Sequence, residues 1–200
     1  MLLEVADSQL VLVDYQAKLM PAIFEGDAVT QRAVMLAKGA RLLGVPVWGT
    51  EQNPDKLGPN APEIKALCDR TLSKMYFGAC QPNLLEVLRP APSAPGGNAR
   101  SLPKHLQKPK AAAPERNTVV VAGCETHVCL LQTALGLLEE EFDVWVVTDA
   151  CSSRRERDRD AAFDRLAGNG AELVTSEMVL FEWMRTCEHP QFREILALVK

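Results

Sequence analysis

The sequence predicts an α/β fold: a three-layer α/β/α sandwich on a mainly parallel six-stranded sheet, formed as one domain over residues 1–200. Three observations predict it. Six short apolar runs recur along the chain, segments with apolar residues near helical spacing separate them, and the composition (47% hydrophobic and 24% charged over 200 residues) is that of a globular domain with a full core. Strand–helix–strand repetition calls for right-handed crossovers, which cover both faces of a parallel sheet with helices.

The elements follow in order. Gln9–Asp14 (QLVLVD) is nearly all apolar, as a strand buried on both faces must be. Asp27–Leu43 repeats apolar positions at helical spacing and leads to a second strand at Val45–Glu51 (VPVWGTE). A helix over Ala61–Cys68 precedes a weaker strand near Thr71–Phe77, and a further helix is expected at Pro82–Leu88. A fourth strand, Thr118–Ala122 (TVVVA), is followed by a helix over Thr126–Phe142 and a fifth strand at Asp143–Thr148 (DVWVVT). A helix over Arg155–Ala167, a sixth strand at Ala171–Thr175 (AELVT) and a helical tail from Glu177 onward complete the pattern.

Residues 91–117 break this rhythm. They hold five of the thirteen prolines, and Arg100, Lys104, Lys108, Lys110 and Arg116 against Glu115 leave a local charge of +4, with −8 on the remainder. Pro and Gly at this density predict a solvated insertion loop; the alternative is a basic arm for an acidic partner or RNA. The whole chain carries −4, the wrong sign for a protein that works by neutralising phosphates, so nucleic acid is not the default partner.

No window approaches the ~18 apolar residues of a membrane span, and no membrane insertion is expected. Glu4 and Asp7 precede the first basic residue, Lys18, which is neither a secretory nor a transit-peptide pattern, so the cytoplasm is the expected compartment. The six cysteines (Cys68, Cys80, Cys124, Cys129, Cys151 and Cys187) form no CxxC pair and are expected to stay reduced, most of them as small core residues.

Ligands of an open parallel sheet bind outside the carboxyl ends of its strands, so polar residues that follow apolar strands are the first candidates. Asp14 ends VLVDYQ, Lys74 lies in TLSKMYF, and Cys129 follows TVVVAGCETHVC. Gly123 permits a tight turn and Thr126 is an expected N-cap, which puts Cys129 in the first turn of a helix. There the helix dipole would acidify the thiol, and neighbouring N–H groups would stabilise an oxyanion. An inert buried cysteine is the competing reading, and Cys124 is a weaker candidate for the reactive thiol. Asp14 is either a salt-bridge or capping carboxylate or a general base toward a thiol; Lys74 is either an ordinary snorkelling lysine or the charge that keeps the thiol ionised. His127 is two residues from Cys129, a spacing that points the two to different helix faces. No H-x-H, D-x-H, HExxH, GxGxxG or P-loop pattern occurs, so neither a metal nor another cofactor is expected.

VLVDYQ, SKMYF, VVVAGCETHVCLLQTALGLL, VWVVTDACSSR and TSEMVLFEWM together make the chain resemble the isochorismatase-like cysteine hydrolases from end to end, with only the 91–117 insertion outside the pattern. Within that family it is most similar to the metal-independent isochorismatase-domain proteins. The resemblance implies a triad of Asp14, Lys74 and Cys129, and a non-proline cis peptide at Cys124–Glu125 that with Val128 forms the oxyanion loop. It further implies that Asp14 takes the thiol proton, Cys129 attacks an amide-type carbonyl, Lys74 assists, and a thioester is hydrolysed by water. Family members that cleave the vinyl ether of isochorismate generally lack the cysteine, and nicotinamidases carry an Asp-x-His metal site where this chain has GTEQNPDKLG. Both of those reactions are therefore disfavoured.

Gln16, Glu51, Gln52, Phe77 and Thr126 are the expected lining of a pocket for a small-molecule substrate. The resemblance also suggests a homo-oligomer, dimer or larger, with the C-terminal helices as the interface. Two alternatives stand beside the hydrolase: an RNA-associated protein or ribonuclease using the basic loop, since some relatives are labelled mitochondria-associated ribonucleases, and a non-catalytic interaction module.

Overall fold

The computed structural model describes residues 2–90 and 116–200. β1 (Ser8–Val13), β2 (Val47–Gln52), β3 (Arg70–Lys74), β4 (Thr118–Cys124), β5 (Asp143–Ser152) and β6 (Glu172–Val174) form one sheet in the order β3-β2-β1-β4-β5-β6. Every neighbouring pair is parallel. The helices are α1 (Gly26–Leu42), α2 (Pro54–Leu57), α3 (Pro62–Lys65), α4 (Leu85–Leu88), α5 (Leu131–Glu139), α6 (Glu156–Gly168), α7 (Ser176–Met184) and α8 (Phe192–Val199).

The central strands are apolar because both of their faces are covered: Leu10–Val13 and Val119–Ala122 have no solvent exposure. The chain leaves β1 toward β2 on one side and leaves β4 toward β5 on the other, so right-handed crossovers place α1 and α5 on opposite faces of the sheet. α1 packs with α7 and α8, and α5 with α6. Gly39 lets α1 and α7 approach closely; a Cβ there would lie 2.2 Å from Leu180 Cδ2. Gly123 does the same for the sheet, since its Cβ would lie 2.4 Å from the Val13 carbonyl oxygen, and the end of β4 is thereby drawn tightly against the end of β1.

Several elements differ from the sequence expectation. The third strand stops at Lys74 rather than Phe77, because the Lys74 ammonium binds the carbonyls of Tyr76 and Phe77 and curls the chain out of the ladder. The helix expected from Thr126 opens with a π turn, Thr126–Leu130, and ahead of the one expected at Pro82–Leu88 the chain is extended at Gln81 (φ −113°, ψ 141°), with α4 covering only Leu85–Leu88. The C-terminal helical tail is two helices, separated where Arg185 takes φ 64° and the chain turns through Pro190.

Most of the expected insertion, residues 91–115, lies outside the described residues. Its roots do not. Gln9 Nε2 donates to both the Leu88 and Arg116 carbonyls, Arg116 Nη1 donates to the carbonyls of Val5 and Ser8, and Arg89 Nη2 meets Asn117 Oδ1 at 3.2 Å. The segment thus leaves and returns at the amino ends of β1 and β4.

Candidate active site

The sheet order reverses between β1 and β4, which opens a crevice at the carboxyl ends of these strands. Asp14 is the residue after β1, Lys74 the last of β3, and Cys129 sits in the π turn after β4. Asp14 leaves the strand at φ 55°, in the left-handed region that non-glycine residues seldom occupy, so its side chain is turned out of the strand's alternation.

Lys74 Nζ reaches past β2 to Asp14 Oδ2 at 2.7 Å, and both side chains are almost completely buried. The ammonium also donates to the Phe77 carbonyl at 2.7 Å and the Tyr76 carbonyl at 3.3 Å, which uses its three protons. Asp14 Oδ1 accepts from the Thr50 hydroxyl at 2.7 Å. A buried ion pair is tolerable only when its remaining hydrogen-bonding capacity is met in this way.

Cys129 faces this pair, and here the expectation of an acidic thiol is corrected. Burial pushes its pKa up to about 12, the Asp14 charge and, more weakly, the Glu125 charge add to the rise, and the Lys74 charge opposes it without prevailing. Thr126 is not an N-cap, since Glu125 holds that position without a side-chain cap bond, and the Thr126 hydroxyl is buried with no partner. The resting nucleophile candidate is a neutral thiol beside a carboxylate.

The Cys124–Glu125 peptide is cis. Cys124 is fully buried in β4, its thiol also pushed up to about 12 by burial, so it offers no competing thiolate. The Glu125 carbonyl accepts from the amides of Val128 and Leu130, so the Val128 amide is engaged rather than open to a ligand. The Glu125 carboxylate binds Arg154 Nε at 2.8 Å and the Arg154 amide at 3.3 Å. His127 Nδ1 meets Ser153 Oγ at 2.9 Å. These contacts tie the turn to the loop after β5.

The expected pocket lining divides. Gln16 is fully buried, donates to the Gln52 and Gly58 carbonyls and accepts from the Gln52 amide, which makes it a staple for the loop after β2 and not a lining residue. Glu51 points to the other face of β2, where it accepts from the Asn60 amide and Lys65 Nζ. Gln52 lies at the strand end with Nε2 on the Met75 carbonyl, and Phe77 is 54% exposed. Among the described residues no group of three or more His, Cys, Asp or Glu side chains is placed to hold a metal ion.

Sequence reasoning missed Thr50, although the same strand-end rule that selected Asp14 would have selected it. Ser153 and Arg154 were visible only as part of VWVVTDACSSR, and no local signal assigns them partners in the Cys129 turn.

A family model described as Isochorismatase domain matches residues 8–178. Isochorismatase domain-containing protein 2 of Bos taurus is 39% identical over 193 residues, covering 96% of this chain and 83% of that protein. Among solved structures, MAR1 ribonuclease from Caenorhabditis elegans superposes with a TM-score of 0.84 at 29% identity, covering 100% of this chain and 92% of the other. The Escherichia coli YcaC gene product, described as an octameric hydrolase of unknown specificity, superposes with a TM-score of 0.77 at 25% identity, covering 98% of this chain and 95% of the other.

Proposed function

This chain belongs to the isochorismatase family, and from that premise we propose that it hydrolyses a small amide-type C–N bond with Cys129 as nucleophile. The observation that carries the proposal is the buried Lys74–Asp14 pair, 2.7 Å apart, set against a neutral Cys129 thiol.

With the thiol protonated at rest, the nucleophile forms only during attack. As sulfur bonds the substrate carbonyl carbon, the thiol proton passes to Asp14. The tetrahedral intermediate collapses by breaking the C–N bond, and the departing amine takes that proton. Water then attacks the thioester, giving its proton to Asp14; the C–S bond breaks, and the proton returns to sulfur as the carboxylic acid leaves. Lys74, held by Asp14 and two carbonyls, is a fixed charge that acts on Asp14 and does not follow the leaving group. The unpartnered Thr126 hydroxyl is assigned here as a donor to substrate.

A panel of small primary and secondary amides, followed by amine release, tests this. At least one should be turned over by the wild type with a transient acyl adduct on the Cys129 peptide, and not by folded Cys129→Ala. An amide hydrolysed equally by both proteins would remove Cys129 from the chemistry.

The ribonuclease reading rests on the description of the C. elegans relative and on Arg100, Lys104, Lys108 and Lys110. The roots of that segment lie at the amino ends of the strands, opposite Asp14 and Cys129. Deleting residues 91–115 is therefore expected to leave the fold and amide turnover intact. Salt-dependent RNA binding or cleavage that disappears with the deletion would instead favour the RNA reading.

The description of the E. coli relative as octameric supports extending a homo-oligomer, dimer or larger, to this chain. Met178 and Phe181 on α7 are exposed apolar residues on the expected C-terminal interface. Light scattering should return a mass above the 22.0 kDa of one chain.

A further inference from the structure

We propose that Thr50 is a positioning residue for Asp14: its hydroxyl fixes the plane of the carboxylate so that Asp14 can exchange a proton with Cys129. The inference rests on the function proposed above and extends it to a residue outside the three reacting groups.

Thr50 holds Asp14 at two points. The Asp14 amide donates to the Thr50 carbonyl at 3.2 Å, and the Thr50 hydroxyl donates to Asp14 Oδ1 at 2.7 Å. The same carbonyl accepts Asn60 Nδ2 at 3.0 Å, which keeps the end of β2 from shifting. Thr50 is 1% exposed, so no bulk water stands ready to replace the hydroxyl.

The terminal torsion of an aspartate is soft and roughly two-fold, so one anchored oxygen leaves the carboxylate free to swing. Lys74 anchors Oδ2 alone. With Thr50 on Oδ1 and Lys74 on Oδ2 each oxygen has its own donor, and the plane of the carboxylate is set. This matters more for Asp14 than for an ordinary strand residue, because at φ 55° its backbone has left the ladder that would otherwise orient it. The charged and titratable groups that act on this site are Lys74, Cys129, Cys124 and Glu125, none of which bonds Oδ1.

The test follows iodoacetamide labelling of the Cys129 peptide at neutral pH, with exposed Cys187 as internal reference and Asp14→Asn as the variant without the carboxylate. Thr50→Val removes the donor at nearly constant shape and, by releasing the carboxylate plane, should raise the Cys129 labelling rate several-fold toward that of Asp14→Asn; Thr50→Ser should restore the wild-type rate. If the valine variant does not fold, Thr50→Cys takes its place: its weak S–H donor should give a smaller change in the same direction. On any amide found to be a substrate, Thr50→Val should lower kcat about tenfold with KM little changed, and Thr50→Ser should recover it.

An unmoved Cys129 labelling rate in folded Thr50→Val or Thr50→Cys would overturn the inference. So would a Thr50→Ser variant as impaired as Thr50→Val, which would assign the effect to the methyl group. Failure of the hydrolase proposal looks different: any amide hydrolysed would then be turned over equally by the wild type and Cys129→Ala, whatever Thr50 does to the labelling of Cys129.

Discussion

Asp14→Asn is expected to make Cys129 more acidic while abolishing turnover. In the wild type burial pushes the thiol up to about 12, with the Asp14 and Glu125 charges adding to the rise and Lys74 alone acting in the opposite direction. The substitution removes the Asp14 contribution and leaves the Lys74 charge opposed only by burial and the weaker Glu125 charge. The thiol must therefore ionise at lower pH, and iodoacetamide should label the Cys129 peptide faster at neutral pH than in the wild type, with exposed Cys187 as the internal reference. Amide turnover should nevertheless fall by about 10²- to 10⁴-fold, because no group remains to return a proton to the leaving amine. A variant whose Cys129 labels no faster than wild type would mean that Asp14 does not control the thiol. Undiminished turnover would locate the general base elsewhere.

Lys74→Met should be the more damaging change to stability. It leaves the fully buried Asp14 carboxylate with only the Thr50 hydroxyl as side-chain donor, and strips the Tyr76 and Phe77 carbonyls of their shared partner. Breaking a buried pair from one side costs about 3–5 kcal/mol, since the remaining charge is neither solvated nor compensated. Urea denaturation at neutral pH should show a loss of that order. A loss under about 1 kcal/mol would place the pair in the class of solvated surface bridges.

Both results turn on a contact that the sequence could only suggest. VLVDYQ and TLSKMYF mark Asp14 and Lys74 as polar groups at the ends of apolar strands, which is enough to nominate them. The same rule applied to VPVWGTE would have nominated Thr50, but the resemblance drew attention to Glu51 and Gln52 beside it. Glu51 and Gln16 were misplaced for a common reason: strand alternation and loop closure sent one to the opposite face and spent the other on backbone groups.

The strands, their parallel order and the nomination of Asp14, Lys74 and Cys129 are properties of short windows, because apolar periodicity and strand-end polarity act within a few residues. The acidity of the sulfur was not of that kind. A helix-end position favoured a thiolate locally, and burial together with a carboxylate 115 positions earlier in the chain reversed the sign. Lys74 and Thr50 likewise meet Asp14 across separations of 60 and 36 residues. Desolvation and hydrogen-bond partnership depend on distances in space, and those distances exist only once the sheet has closed.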